Sequence, residues 1–330
     1  MSRSAQLEQW LNECFGAGSY QFAPASEDAS FRRYLRVTSG DGTFIVMDAP
    51  PEREDCRPFV QVARLFAGAG VHVPAVFAEN LRDGFLLLSD LGSRTYLQAL
   101  DPSSAPDLYR DANDALIKIQ LASRADVLPV YDRELLLREL RLFPDWYVAR
   151  HLGVTLSPEQ DAALKAVFEL VLANNLAQPQ VYVHRDYHSR NLMVSEPNPG
   201  ILDFQDAVYG PITYDAVSLY RDAYVGWDEE RQLDWLIRYW EKARKARLPV
   251  DADFSRFYRD FEWMGVQRQI KVLGIFARLF HRDGKSSYLK EMPLVMSYLR
   301  KACQRYDELT ALLKLLDELE AQRPEVRYIS

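Results

Sequence analysis

The sequence is short of cysteine, of positive charge and of long apolar runs, and each shortage removes a class of function. Its three cysteines, Cys14, Cys56 and Cys303, are far apart and in no metal-ligand spacing, which speaks against a disulfide framework or a zinc site. All three read as small buried hydrophobes. A formal net charge of -7 argues against non-specific binding to nucleic acid or an anionic membrane, which needs a basic face, so neither partner is expected. No run of roughly eighteen apolar residues exists to span a bilayer. Arg3, Glu8, Trp10 and Glu13 also interrupt the region where a signal peptide needs an apolar core, and a cytoplasmic protein is expected.

What remains is a 330-residue chain, 48% hydrophobic and 26% charged, which is enough to bury one large core or two modest ones. Leu7, Trp10, Leu11 and Phe15 recur at helical spacing and end at Gly16 and Gly18, predicting an amphipathic first helix. Short β-prone runs at 31–38 and 43–48 flank a hairpin turn at 39–42, and further strands are predicted at 76–79 and 85–89, with a helix over 55–67 between. From Arg94 onward the period is helical, apart from two short apolar runs, 192–194 and 200–202, around the turn 196–199. The prediction is an α+β chain with a small antiparallel β N-terminal part, residues 1–90, and a large helical part, residues 91–330.

The chemistry is concentrated in His184-Arg185-Asp186-Tyr187-His188-Ser189-Arg190-Asn191 and, beyond a hairpin, Leu202-Asp203-Phe204-Gln205-Asp206. This places a carboxylate and a carboxamide five residues apart on one loop, and returns a second carboxylate beside the carboxamide across paired strands. Phosphoryl transfer wants that set. A base must hold an acceptor hydroxyl in line with the γ-phosphate, the role that suits Asp186, and oxygen ligands must hold magnesium against the phosphates, the role that suits Asn191 and Asp203. Each residue alone is an ordinary turn-former. Together, His-x-Asp-x4-Asn and a following apolar Asp-Phe fit the catalytic and metal loops of a kinase.

These motifs resemble those of the aminoglycoside phosphotransferase and choline kinase superfamily, which implies a two-lobe, protein-kinase-like fold. The chain departs from protein kinases at His188, where a loop lysine is usual, at Gln205 in place of the glycine of Asp-Phe-Gly, and in having no Ala-Pro-Glu. The stretches 203–215, 219–224 and 271–278 resemble the bacterial N-acetylmuramate/N-acetylglucosamine anomeric kinases of cell-wall recycling. The resemblance implies ATP and magnesium as cofactors, an amino sugar as acceptor and transfer to its anomeric hydroxyl. It also implies that Ser89, Asp90 and Leu91 form an interlobe hinge bonding adenine, with Ile45 packed on the ring. A monomer is expected.

The family's phosphate-binding lysine is replaced by Met47, and no glutamate stands at the matching positions of the next helix, where Phe59 and Gln61 occur. Loss of both partners avoids leaving one buried charge alone. The replacement cation is expected to be Arg32 or Arg33, in the loop that includes Ser30 and covers the phosphates. For the acceptor, His188, Asp206, Tyr214, Arg221 and Arg268 are the candidate contacts, with Tyr209, Asp222, Gln267 and Lys271 nearby in sequence. Asp215 reads rather as a cap or ion-pair residue. The competing readings are a phosphotransferase for an aminoglycoside or other small alcohol, and a nucleotide-binding pseudokinase.

Overall fold

The computed structural model describes residues 2–26 and 32–322, so Ser30 lies outside the described residues. In chain order, helix α1 (Arg3–Phe15) precedes strands β1 (Tyr20–Ser26), β2 (Arg33–Ser39) and β3 (Gly42–Asp48), helix α2 (Arg57–Gly68), and strands β4 (Val76–Asn80) and β5 (Phe85–Ser89). Helices α3 (Tyr96–Ala99), α4 (Ala105–Leu121) and α5 (Arg133–Leu140), a π-helical stretch at Phe143–His151 and α6 (Pro158–Ala177) follow. Strands β6 (Gln180–Val183), β7 (Leu192–Met193), β8 (Gly200–Ile201) and β9 (Val208–Pro211) then precede α7 (Tyr214–Tyr220), α8 (Glu229–Lys245), α9 (Phe254–Asp283), α10 (Met292–Arg305) and α11 (Thr310–Ala321). Two compact units result, one running up to Ile119 and including Arg190–Ala207, the other made of Gln120–Ser189 and the chain from Val208 onward.

In the first unit the antiparallel sheet has the order β1-β2-β3-β5-β4. Alternation along β2, β3 and β5 puts Val37, Val46, Phe85 and Leu87 on one face, where they bury Leu7, Trp10 and Leu11 of α1. Trp10 stacks on Phe85 with ring centroids 5.5 Å apart. Each such side chain contributes roughly 1.5–3 kcal/mol when fully buried, so packing rather than propensity holds this short helix. Ser2 caps its start by accepting from the Ala5 N–H, and Gly16 ends it at φ 86°, a value that an L side chain resists. Helix α2 starts at Arg57 rather than Asp55, because the Asp55 carboxylate accepts from the Arg57 N–H at 3.0 Å and turns the chain first.

In the second unit the 30-residue α9 is buried without a break from Phe261 to Gly274, because α6, α7, α10 and the π-helical stretch pack around it. Gly274 permits one of these approaches: a Cβ there would lie 2.4 Å from the Leu142 carbonyl carbon. The α+β, protein-kinase-like expectation is borne out, with the antiparallel sheet N-terminal and the later elements mostly helical. Among the cysteines, Cys56 and Cys303 are buried as expected but Cys14 is only half-buried, since it lies at the edge of the α1 contact. No helix among the described residues is long and apolar enough to cross a membrane.

Candidate active site

The half of the motif with the candidate metal ligands is held by the β7–β8 hairpin of the first unit. Leu192 pairs with Ile201, and the Leu202 N–H donates to the Asn191 carbonyl at 2.9 Å, which brings the two candidate ligands together. Asn191 Nδ2 lies 3.3 Å from Asp203 Oδ2, and Gln205 Nε2 donates to Asp203 Oδ1 at 2.8 Å. Asp203 adopts φ 61°, a left-handed conformation that a short polar side chain tolerates. The next residue, Phe204, is fully buried against Phe59 and Phe66 of α2, with centroids 4.8 and 6.0 Å away. An apolar plug thus fixes the backbone from which Asp203 projects, and Phe59 packs where the family's glutamate would be charged.

Beside this pair is a cavity of about 350 Å³, lined by Ile45, Leu88, Met193 and Leu202 and by the polar residues Arg36, Ser89, Asp90, Thr95, Arg190, Asn191 and Asp203. Its apolar walls suit a flat heteroaromatic base and its polar end carries the candidate metal ligands. Ile45, Ser89, Asp90 and Leu91 all line it. The Ser89 N–H, however, is already bonded to the Ala75 carbonyl at 2.9 Å. The Asp90 carboxylate forks onto Arg36, at 2.6 and 3.1 Å, and accepts from the Gly92 N–H at 2.9 Å, so it braces the segment.

Met47 is fully buried in β3, opposite Tyr34 and Leu86, and does not line this cavity. The two candidate replacement cations separate. Arg33 forks onto the fully buried Asp48, which also takes Arg3 at 2.6 Å. Arg32, with its side chain only 10% exposed, reaches Glu54 at 3.1 Å. Burial lowers the Arg32 pKa, but Tyr34, Glu54, Asp203 and Asp206 outweigh it and leave the pKa raised. The charge of Arg32 thus acts on Asp203, the candidate metal ligand.

Asp186 belongs to the second unit. Two carboxylates from further along the chain clamp the backbone that carries it: Asp215 accepts from the His184 and Arg185 N–H groups at 2.7 and 3.0 Å, and Asp222 accepts from the Ser189 N–H at 2.9 Å. Asp215 is therefore a loop clamp rather than a helix cap. Burial raises the Asp186 pKa, yet Lys271, His188, Arg185 and Arg268 together bring it down to about 2, so the carboxylate is charged throughout the neutral range. Beneath the loop, Glu139 of α5 gathers Arg185 at 2.6 Å, Lys271 at 2.9 Å, Gln267 at 3.1 Å and the Tyr131 hydroxyl. Burial raises the Glu139 pKa, but Lys271 and Arg185 outweigh it and leave it lowered.

The acceptor candidates divide as well. Tyr214 is fully buried and its hydroxyl holds Lys271 at 2.9 Å, while Arg221 is buried against Glu262 at 2.9 Å; both are structural in this arrangement. His188 is nearly buried, with its ring edge-on to Tyr224 at 5.3 Å, and Arg268 is 3% exposed. Asp206 is exposed and belongs to the first unit with Asp203. Sequence reading missed Glu139, whose setting among leucines and arginines in 133–140 looks like any amphipathic helix.

The model of the phosphotransferase enzyme family (APH) matches residues 21–251. A protein of Pseudomonas aeruginosa named N-acetylmuramate/N-acetylglucosamine kinase is 53% identical, over 96% of this chain and 97% of the relative. One of the same name from Neisseria meningitidis is 48% identical, over 97% and 96%. Among solved structures, the choline kinase LicA of Streptococcus pneumoniae superposes with a TM-score of 0.63 at 12% identity, over 90% of this chain and 99% of that one. The ADP-bound aminoglycoside phosphotransferase APH(2'')-Ib superposes with a TM-score of 0.60 at 14% identity, over 89% and 97%. The motif, the fold and these matches converge: the chain is a phosphotransferase and belongs to the phosphotransferase enzyme family.

Proposed function

We propose that the chain transfers the γ-phosphate of ATP to the anomeric hydroxyl of N-acetylmuramate or N-acetylglucosamine, as a cytoplasmic monomer that returns cell-wall sugars to metabolism. The observation that carries the chemistry is the loop bearing Asp186, clamped at both ends by Asp215 and Asp222. The names of relatives near half identity over almost the whole chain support the acceptor. In this reading, residues 1–90 form the nucleotide-binding lobe and residues 91–330 carry the catalytic loop and acceptor site.

A carboxylate with a pKa of about 2 is a weak base. Its work is to orient the acceptor hydroxyl and to take the proton late, once bond formation to phosphorus has made that proton acidic. An anomeric hydroxyl, more acidic than a simple alcohol, suits such a partner. Asn191 and Asp203 each carry a hard side-chain oxygen, and their side chains meet at 3.3 Å. Such a sparse set fits magnesium, which takes one or two protein oxygens and completes its shell from phosphates and water. When bound there, magnesium would supply charge neutralisation for the β- and γ-phosphates. Arg32 would add the cation that Met47 does not. The pseudokinase reading is disfavoured because Asp186, Asn191 and Asp203 are all retained. An aminoglycoside acceptor would need a free anionic surface, yet Glu308 is paired with Arg259, and Asp317 and Glu320 with Arg300.

The test is product analysis: ATP, magnesium and N-acetylmuramate are expected to give a sugar phosphate whose phosphorus couples to the anomeric proton by NMR. Phosphate on any other hydroxyl would rule out the anomeric assignment.

A further inference from the structure

We propose that Arg268 receives a carboxylate of the acceptor, and so sets the preference for an acid-bearing amino sugar over its neutral counterpart. This rests on the acceptor reading above. Around the Asp186 loop the other cations of the second unit are already paired. Arg185 and Lys271 share Glu139, and Arg221 has Glu262. Among the described residues Arg268 makes no ion pair, and its Nε and Nη1 are buried with no hydrogen-bond partner, although the residue is only 3% exposed. A desolvated guanidinium left in that state is unfavourable unless an anion completes it.

Its position shows what that anion belongs to. On the same stretch of α9, Gln267 and Lys271 both reach Glu139 beneath the catalytic loop. The charge of Arg268 acts on both Asp186 and Asp215. An acceptor whose hydroxyl is held at Asp186 therefore lies in the field of Arg268. The planar N–H donors of a guanidinium match the two oxygens of a carboxylate, a fit that neither a hydroxyl nor an acetamide reproduces. N-acetylmuramate differs from N-acetylglucosamine by a lactyl ether ending in that group. The competing role, in which Arg268 only balances the charge of Asp186, would affect both sugars alike.

The experiment compares kcat/KM for N-acetylmuramate and N-acetylglucosamine in the unaltered chain, Arg268→Met and Arg268→Lys. It also compares N-acetylmuramate with its carboxamide in the unaltered chain, which needs no variant to fold. The expected result is that the acid-to-neutral kcat/KM ratio falls about 10- to 100-fold in Arg268→Met, the worth of a charged hydrogen-bonded contact. It should fall less in Arg268→Lys, and the carboxamide should lose a similar factor in the unaltered chain. An unchanged ratio with both sugars losing activity equally, or a carboxamide used as well as the acid, overturns the role of Arg268 alone. Turnover of neither sugar by the unaltered chain overturns the acceptor reading and this proposal with it.

Discussion

Asp215 and Asp186 are aspartates whose carboxyl groups meet opposite fates around one loop. Burial lifts the Asp215 pKa to about 7, against the two backbone N–H groups that favour its charged form and with the nearby charge of Asp186 adding to the rise. In the unfolded chain the same carboxyl ionises near about 3.9. Between those values the folded chain keeps a proton that the unfolded chain has released, so this group's contribution to stability falls as pH rises from about 4 to about 7 and is level above. Asp186, held down to about 2, has the opposite sign and matters only in more acidic solution. The Tm of the unaltered chain relative to Asp215→Asn, which does not titrate, should thus drop by several degrees over that window. A difference that stays flat with pH would contradict the raised pKa. At the same scale, Arg32→Ala should raise KM for ATP about tenfold or more, and Arg33→Ala far less, because Arg33 is engaged with Asp48. Equal effects from the two variants would remove Arg32 from the phosphate role.

At the scale of elements, the parts with a local signature were legible and those built from distant contacts were not. The β5 strand is found at its predicted limits, and the hairpin that joins Asn191 to Asp203 follows from two apolar runs around a proline-rich turn. Nothing local marks the π-helical stretch, which is helical in period yet one residue wider per turn. Glu139 is likewise unmarked, since its partners lie 46 and 128 residues away at Arg185 and Gln267. Asp215 and Asp222 were visible as acids near a helix, but their bonds to the loop span 31 and 33 residues. Close approach at Gly274 is equally silent in sequence, and it yields a test. Gly274→Ala forces a methyl against the Leu142 backbone and should destabilise by about 1–3 kcal/mol or more, lowering Tm by several degrees. An unchanged Tm would show that the helix and the π-helical stretch can part without cost.

For the whole molecule, composition bounded the class of chain to expect, while one eight-residue motif, His184 to Asn191, pointed to the reaction. The acceptor was the least legible part, because sugar recognition is assembled from side chains scattered along the chain with no fixed spacing. The most direct measurement is therefore magnesium-dependent ATP turnover with N-acetylmuramate, N-acetylglucosamine, kanamycin and choline side by side, using Asp186→Asn as the control. The account predicts turnover with the two N-acetyl sugars alone, lowered about 10²- to 10⁴-fold in Asp186→Asn, the usual worth of a positioned acid–base group. Turnover of kanamycin or choline with both sugars inert would contradict it.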